Sequence, residues 1–318
     1  MSSETREECR LLALLGATAT GKTRVGVFLA RELGGEIISA DSRQVFRGMD
    51  LGTGKDLEEY GEVPAHLIDI RDAGEEFSVF DFQRAFLAAW EDIRQRRRFP
   101  LLVGGTGLYL DAALRGYRLV EVPENPHLRR ELAVCTDEQL RERLQKLKPH
   151  QHNTTDLEDR QRLIRAIEIA EGEAKATDSL PPWPAMRPLV FGLRWDRRKL
   201  RHRIRLRLEQ RLKQGMIDEV RRLHANGVDW KRLEYYGLEY RHIARFLQGQ
   251  TSYNDMLQRL AGDIGRFAKR QETWFRRMER QGIAIHWVNG EHDPERTIAE
   301  LLEQEGWRAA GAVLVRQR

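Results

Sequence analysis

The chain has 318 residues, of which 41% are hydrophobic and 32% charged, and its formal net charge is +5. No apolar run is long enough to cross a bilayer, and the polar first ten residues lack the apolar segment of a signal peptide. Two cysteines, Cys9 and Cys135, are too few for a disulfide framework or a zinc site. We therefore expect a cytoplasmic protein with reduced thiols and without a membrane segment.

A phosphate-binding loop is predicted near the N-terminus. Residues 11–15 form a short apolar run typical of a strand, and the apolar residues of 24–33 recur at helical spacing. Between them lies the pattern G-x-x-x-x-G-K-[ST], whose glycines let backbone N–H groups surround an anion at the start of a helix. Lys22 adds a mobile positive charge, and the hydroxyl of Thr23 is placed to bind Mg²⁺. The loop, which we expect to bind a diphosphate or triphosphate, consists of Gly16, Ala17, Thr18, Ala19, Thr20, Gly21, Lys22 and Thr23.

Strands alternate with helices through residues 1–119, which predicts an α/β fold with a doubly wound parallel sheet flanked by helices. We expect strands at residues 36–40, 66–70 and 101–103 and a helix over 78–94. In such sheets, ligands bind beyond the carboxyl ends of the strands. The phosphate loop, Asp41 and the glycine-rich turn over 104–107 should therefore converge on one site.

A change in character near residue 120 predicts a small helical insertion domain over residues 120–184. Prolines there separate charged helical segments, of which 128–147 is the clearest and 159–168 is amphipathic, and a proline-rich linker follows over 178–188. The core formed by residues 1–119 should resume over 185–318, with a strand at 188–193. After it we expect one long helix from 197 to 226, helices over 240–248 and 255–280, and a last strand at 283–288.

The polar cluster after the second strand contains Asp41, Ser42, Arg43 and Gln44. Asp41 could organise a metal ion, as carboxylates do in phosphate-loop proteins that hydrolyse nucleotides. With the neighbouring amide of Gln44, it could instead read the edge of an adenine and take a proton from its exocyclic amine. It could also simply cap the following turn. Residue types alone leave these three interpretations open.

Basic residues are dense over residues 194–211, which favours a nucleic-acid partner. Within this segment Arg203 and Arg207 stand four residues apart, on one face of the predicted long helix, while Arg205 points elsewhere. Two guanidinium groups on one face can clamp a diphosphate.

A second basic segment mixes cations with aromatic rings. Lys269, Arg270 and Gln271 precede Trp274 and Phe275 on a predicted helix. This mixture suits phosphate contacts and base stacking. The two aromatic residues could equally belong to the core.

Five segments of the chain together resemble one family, the bacterial-type tRNA dimethylallyltransferases, also called tRNA isopentenyltransferases. These segments are the phosphate loop and residues 36–53, 103–109, 162–168 and 268–276, and the similarity extends from about residue 11 to residue 288. The family transfers a dimethylallyl group from dimethylallyl diphosphate to N6 of the adenosine on the 3′ side of the anticodon and releases diphosphate. Its substrates are tRNAs that read codons beginning with U.

The resemblance implies roles for the residues singled out above. The phosphate loop would hold the diphosphate of the prenyl donor together with Arg203 and Arg207, and Mg²⁺ would bind near Thr23. The residues implied in catalysis are Asp41, which would take the proton from N6, Lys22 and Thr106. The helical insertion would grip the anticodon stem-loop. The residues implied in tRNA binding are Asp41, Ser42, Arg43, Gln44, Thr106, Gln161, Arg162, Leu163, Ile164, Arg165, Lys269, Arg270 and Gln271.

The chain departs from the common family pattern at a few positions. Arg43 stands where methionine is usual, Gly54 where alanine is usual, Glu239 where glycine is frequent and Gly265 where threonine is frequent. None of these departures removes a chemical group that the implied reaction needs.

Other functions stay open from the sequence. A prenyltransferase acting on free adenine nucleotides would share the phosphate loop and Asp41, but it would not need the insertion or the basic C-terminal region. An ATP-dependent kinase or NTPase would be a nucleotide-binding protein with Lys22 on the β- and γ-phosphates of ATP. A purely structural RNA-binding module would leave the intact loop unexplained. We expect the protein to be a monomer.

Overall fold

The computed structural model describes residues 10–117, 119–148, 160–176 and 183–307. The described residues divide into two units, the first drawn from Met1–Arg115 and Ala185–Arg318 and the second from Gly116–Pro184. No helix in the described part of the chain combines the length and the apolar composition that crossing a membrane requires.

A six-stranded parallel sheet forms the centre of the first unit, with the strand order β3-β2-β4-β1-β5-β6. Its strands are β1 (Arg10–Gly16), β2 (Gly35–Ala40), β3 (Ala65–His66), β4 (Phe99–Gly104), β5 (Arg187–Arg194) and β6 (Ile285–Asn289). In the middle of the sheet, Leu14 of β1 lies opposite Val103 on one side and Phe191 on the other. All three side chains are buried, as expected for parallel strands covered by helices on both faces. The predicted doubly wound parallel sheet is confirmed.

Helices follow the strands and continue beyond them. In chain order they are α1 (Lys22–Leu33), α2 (Val79–Gln95), α3 (Gly107–Arg115), α4 (Pro126–Ala133), α5 (Asp137–Leu147), α6 (Arg160–Ala176), α7 (Arg197–Lys213), α8 (Met216–Ala225), α9 (Trp230–Tyr236), α10 (Leu238–Leu247), α11 (Tyr253–Arg280) and α12 (Pro294–Gln304). A short 3₁₀ helix covers Leu57–Tyr60. The strand, loop and helix predicted around the phosphate loop are therefore present as β1, residues 17–21 and α1.

Among the described residues of the first unit, two hydrophobic clusters support the elements around the phosphate loop and the segment after β2. On one face of the sheet, Leu29 of α1 and Ile298 of α12 are buried in the same cluster as Leu14. The C-terminal helices α7 to α11 build a second cluster, which also contains Val45 and Met49 from the segment after β2. The polar cluster predicted after the second strand is therefore anchored against the C-terminal helices.

Two elements of the first unit differ from the prediction. The strand predicted at 66–70 ends at His66, because Leu67 and Asp69 adopt left-handed backbone conformations with φ of 63° and 54° that a strand excludes. The N–H groups of residues 69–71 instead donate hydrogen bonds to the carbonyls of Gln44 and Val45, in the segment after β2. The long helix predicted over 197–226 is two helices, because Gly215 interrupts it with a φ of 103° that glycine adopts without strain.

The second unit contains α4, α5 and α6 around a leucine-rich core. The single helix predicted over 128–147 is two helices, because Thr136 caps the start of α5 in a capping box. Residue 159 of the predicted amphipathic helix and residues 178–182 of the predicted linker lie outside the described residues. Glu168 is 2% exposed and pairs with Arg129 at 2.9 Å and Arg165 at 3.0 Å, so this buried charge is neutralised within the unit.

Candidate active site

The phosphate loop is a preformed anion cup at the start of α1. Its backbone is folded tightly, with left-handed conformations at Ala19 (φ 64°) and Gly21 (φ 87°). The hydroxyl of Thr20 donates to the carbonyl of Ala17 at 2.8 Å, and the indole of Trp195 donates to the carbonyl of Thr20 at 3.1 Å. Side chains thus donate hydrogen bonds to the loop carbonyls. The N–H groups at the N-terminus of α1 suit the binding of an anion.

Lys22 is the first residue of α1 and lies inside the cup. Its ammonium group donates to the carbonyl of Ala17 at 2.8 Å. Burial lowers the pKa of Lys22 to about 8, the nearby Asp41 carboxylate raises it, and Arg207 lowers it further. Lys22 therefore has charged neighbours in the segment after β2 and on α7.

Asp41 and Thr106 meet where β2 and β4 end. The Asp41 carboxylate accepts a hydrogen bond from the Arg43 N–H at 2.9 Å, and the Thr106 hydroxyl accepts one from the Ser42 N–H at 3.0 Å. The Thr106 N–H donates to the Ala40 carbonyl at 3.1 Å. These contacts fix the polar cluster against the glycine-rich turn. They confirm that Asp41 and the turn lie together at one edge of the sheet.

Gln271 connects the two halves of this edge. Its amide oxygen accepts from the Thr18 N–H at 2.8 Å, and its amide nitrogen donates to the Gly105 carbonyl at 2.8 Å. A Cβ on Gly105 would lie only 2.6 Å from the same amide nitrogen, so any larger residue there would displace the Gln271 amide. Gln271 is 8% exposed, and its predicted tRNA contact stays a prediction. Its neighbours Lys269 and Arg270 are exposed.

Gln44 also uses its amide within the protein. The Ser39 hydroxyl donates to its oxygen at 3.0 Å, and its nitrogen donates to the Gly54 carbonyl at 3.3 Å. Gln44 is 8% exposed. The structure therefore gives this residue a part in shaping the loop after β2, and a direct base contact stays a prediction.

Two arginines of α7 lie next to the phosphate loop. Arg203 donates from Nε to the Ala19 carbonyl at 3.0 Å, with its guanidinium 4.2 Å from the centre of the Trp195 ring. Arg207 lines a pocket together with Thr18 and Ala19. The predicted pair thus lies at the phosphate loop, while Arg205 faces solvent and pairs with Glu209.

Two further charged residues of this pocket, Arg211 and Glu239, were not predicted as site residues. Arg211 follows Arg207 by one helical turn, and that spacing was a usable signal. Burial raises the pKa of the Glu239 carboxyl, with Arg211 opposing the rise and Asp41 adding to it. Glu239 lies at the start of α10, and its place in the pocket depends on tertiary packing that no local pattern reveals.

An exposed aromatic ring lies beside the polar cluster. Tyr235 is 66% exposed, and its ring centre lies 5.9 Å from the Arg43 guanidinium and 5.5 Å from that of Arg232. The next residue, Tyr236, is 1% exposed and belongs to the core. Tyr235 is therefore an unpredicted surface residue with two guanidinium groups near its ring, one of them from Arg43 of the polar cluster.

The remaining predicted tRNA-binding segment belongs to the second unit. Gln161 and Arg162 are exposed on α6, whereas Leu163 and Ile164 are 1% and 6% exposed in the unit's core. Arg165 takes part in the ion pair with Glu168. Any tRNA contact by side chains of this segment would therefore come mainly from its first two residues.

The described residues fit a metal ion only in part. They contain no group of three or more His, Cys, Asp or Glu side chains that could hold one. Thr23 lies near the Tyr60 hydroxyl, and burial and the Asp41 carboxylate raise the pKa of Tyr60 while Thr23 lowers it. Magnesium in proteins commonly keeps several waters and binds one or two protein oxygens plus substrate phosphates. The donor set fits an ion that arrives with a phosphate ligand.

Comparison with known proteins identifies the family. The family model described as "IPP transferase" matches residues 44–278, and the model "Isopentenyl transferase" matches residues 9–63. The chain is similar to the tRNA dimethylallyltransferase 2 of Syntrophotalea carbinolica, with 64% identity over 90% of this chain and 96% of the relative. The tRNA dimethylallyltransferase 2 of Trichlorobacter lovleyi is 62% identical over 90% of this chain and 94% of its own.

A solved structure agrees with these relatives. The tRNA isopentenylpyrophosphate transferase of Bacillus halodurans is 35% identical, with a TM-score of 0.69 over 94% of this chain and 96% of that one. A eukaryotic dimethylallyltransferase acting on tRNA has a TM-score of 0.76 at 22% identity, over 94% of this chain and 80% of its own, and shares the fold. From its phosphate loop, its sheet and these relatives, the chain belongs to the tRNA dimethylallyltransferase family.

Proposed function

We propose that this transferase moves a dimethylallyl group from dimethylallyl diphosphate to N6 of the adenosine on the 3′ side of the anticodon, in tRNAs that read codons beginning with U. The observation that carries the proposal is the meeting of an anion cup with the carboxylate of Asp41 at one sheet edge. The family relatives support the same reaction. A kinase or NTPase would use the cup and could use Asp41 to organise a metal ion, but it would leave the similarity to tRNA dimethylallyltransferases unexplained.

The donor half of the reaction follows from the charges around the cup. As the bond between the allylic carbon and the diphosphate oxygen breaks, the departing diphosphate gains negative charge. Loop N–H groups, Lys22 and the arginines Arg203 and Arg207 would stabilise that charge. Thr23 would hold Mg²⁺ together with phosphate oxygens, and the ion would neutralise further charge on the leaving group.

The acceptor half follows from Asp41. N6 of adenine is a weak nucleophile because its lone pair is delocalised into the ring, so removal of its proton during attack lowers the barrier. The Asp41 carboxylate would take this proton as the N6–carbon bond forms and the diphosphate leaves with the electrons of the broken bond. The adenosine would have to leave its stack to reach the site. Thr106 and Ser42 would help position it.

The experiment offers the protein labelled dimethylallyl diphosphate with unmodified tRNA or with AMP, and in parallel offers it ATP. We expect label in tRNA. Label in AMP would favour the free-nucleotide prenyltransferase, and phosphate released from ATP without prenyl transfer would favour the kinase or NTPase. Mapping the labelled nucleotide tests the position in the anticodon loop.

Asp41→Asn separates the role of the base from that of the cup. Turnover should fall by about 10²–10⁴-fold, the usual contribution of a general base, while the affinity for the donor stays close to that of the wild type. Lys22→Met should weaken donor binding and turnover together. Equal loss of donor affinity in the Asp41 variant would refute its assignment as the base. A cytoplasmic location and a monomeric state stay predictions.

A further inference from the structure

Asp56 forms ion pairs with two arginines, Arg207 and Arg211, that line the pocket beside the phosphate loop. Its carboxylate is ion-paired with Nη2 of Arg207 and lies 3.3 Å from Nη2 of Arg211. The Asp56 side chain is 30% exposed, and those of Arg207 and Arg211 are 31% and 15% exposed. Both ion pairs of Asp56 are therefore partly shielded from water, and each is stronger than an ion pair on an open surface.

The backbone around Asp56 serves this contact. Asp56 occupies the N-cap position of the 3₁₀ helix, but its side chain makes no capping hydrogen bond, although aspartate is a favoured capping residue. Two positions earlier, a Cβ on Gly54 would overlap the guanidinium of Arg211. Residues 54–56 therefore wrap around Arg211 and direct the carboxylate of Asp56 to both arginines.

The charges of the pocket show what this carboxylate does. Burial and the neighbouring Arg211 lower the pKa of Arg207, and Asp56 opposes that change. Arg207 also lies close enough to Lys22 to lower its pKa. Asp56 thus provides Arg207 with a negatively charged oxygen, which is also what a phosphate of the diphosphate would provide.

We propose that Asp56 competes with the diphosphate for Arg207 and Arg211 and thereby weakens the hold of the pocket on the diphosphate product. The inference rests on the proposed function, because it requires the diphosphate to bind at this cup. A phosphate oxygen that reaches Arg207 must share the guanidinium with Asp56 or displace it, and two anions at one guanidinium repel each other. Product release becomes faster, and some donor affinity is lost.

Asp56→Asn tests the inference. Asparagine keeps the size of the side chain and one acceptor oxygen, and it tolerates the left-handed backbone at this position (φ 44°). We expect the Kd of inorganic diphosphate, measured by isothermal titration calorimetry, to fall about twofold to tenfold, as expected for losing a partly screened charge. Inhibition of the enzyme by diphosphate should strengthen by the same factor. Asp56→Ser, which also removes the charge, replaces this variant if it fails to fold.

The matched control is Glu62→Gln, which removes one carboxylate from an exposed pair with Arg31 and should leave the Kd unchanged. A double-mutant cycle with Arg207→Gln then separates competition from net charge. The gain from Asp56→Asn should shrink by at least half in the Arg207→Gln background.

Four outcomes would count against the inference or its basis. An equal gain in both backgrounds would mean that Asp56 acts only through net charge, and weaker binding by Asp56→Asn would mean that it orients the arginines. Either result overturns the competition. If the wild-type protein binds no diphosphate, the proposed function itself is refuted. If the wild type binds diphosphate normally but Asp56→Asn does not bind it more tightly, only this inference is refuted.

Discussion

The lowered pKa of Lys22 predicts that diphosphate binding takes up a proton. With a pKa of about 8, Lys22 carries its proton in about nine-tenths of molecules at pH 7, about half at pH 8 and about a tenth at pH 9. A bound diphosphate favours the charged form and raises the pKa. Uptake by this residue should therefore rise from about 0.1 proton at pH 7 to about 0.9 at pH 9.

The same linkage sets the pH dependence of affinity. Below about pH 7 the ammonium is almost fully charged, and affinity should change little from this cause. Above pH 8 each pH unit should weaken binding by up to about tenfold, because more of the protein must first gain a proton. Calorimetry in buffers with different ionisation enthalpies measures the proton uptake, and the Kd at each pH comes from the same titrations.

The control is Lys22→Met, which cannot gain a proton. Diphosphate itself titrates in this range, and the difference between wild type and variant removes that contribution. Identical proton uptake by both proteins between pH 7 and pH 9 would refute the argument that Lys22 lies buried at the anion cup with a lowered pKa.

Two further predictions concern the loop after β2 and the exposed ring of Tyr235 beside Arg43. Glu219 is 2% exposed and accepts the N–H groups of Asp50, Leu51 and Gly52 at 2.7–3.0 Å, so Glu219→Gln should lower the free energy of unfolding by about 2–4 kcal/mol. A change below about 0.5 kcal/mol in urea denaturation would contradict this. Tyr235→Ala should raise the KM for tRNA about fivefold or more, because stacking on a base is worth about 1–3 kcal/mol, while Tyr235→Phe and the KM for the donor stay near wild type. An unchanged KM for tRNA would exclude a stacking role.

Much of the site could be predicted because it depends on local rules. The phosphate loop has a pattern and flanks that only one geometry satisfies. Asp41 and Thr106 follow buried strands, and the carboxyl ends of parallel strands meet at one edge of the sheet. The spacing of Arg203 and Arg207 on one face of α7 allows a diphosphate clamp, and the family resemblance implies that this clamp lies at the phosphate loop.

The remainder depends on contacts between distant segments. Lys55 is fully buried and pairs with Asp50 at 2.8 Å and also with Asp69, in a segment with almost no regular secondary structure. No periodicity marks such a segment, and so neither the role of Asp56 nor the early end of β3 follows from the residues around them. Arg211 and Glu239 enter the pocket for the same reason, through packing of helices that are far apart in the sequence.

The amide of Gln271 links two backbone segments at one edge of the sheet to a single helix. This side chain of α11 hydrogen-bonds the phosphate loop at Thr18 and the glycine-rich turn at Gly105. A shift of α11 that moves one of these segments therefore strains the hydrogen bond to the other. Under the proposed function, the prenyl donor and the adenosine would bind on opposite sides of this link, and binding of one would alter the fit of the other without any residue that touches both.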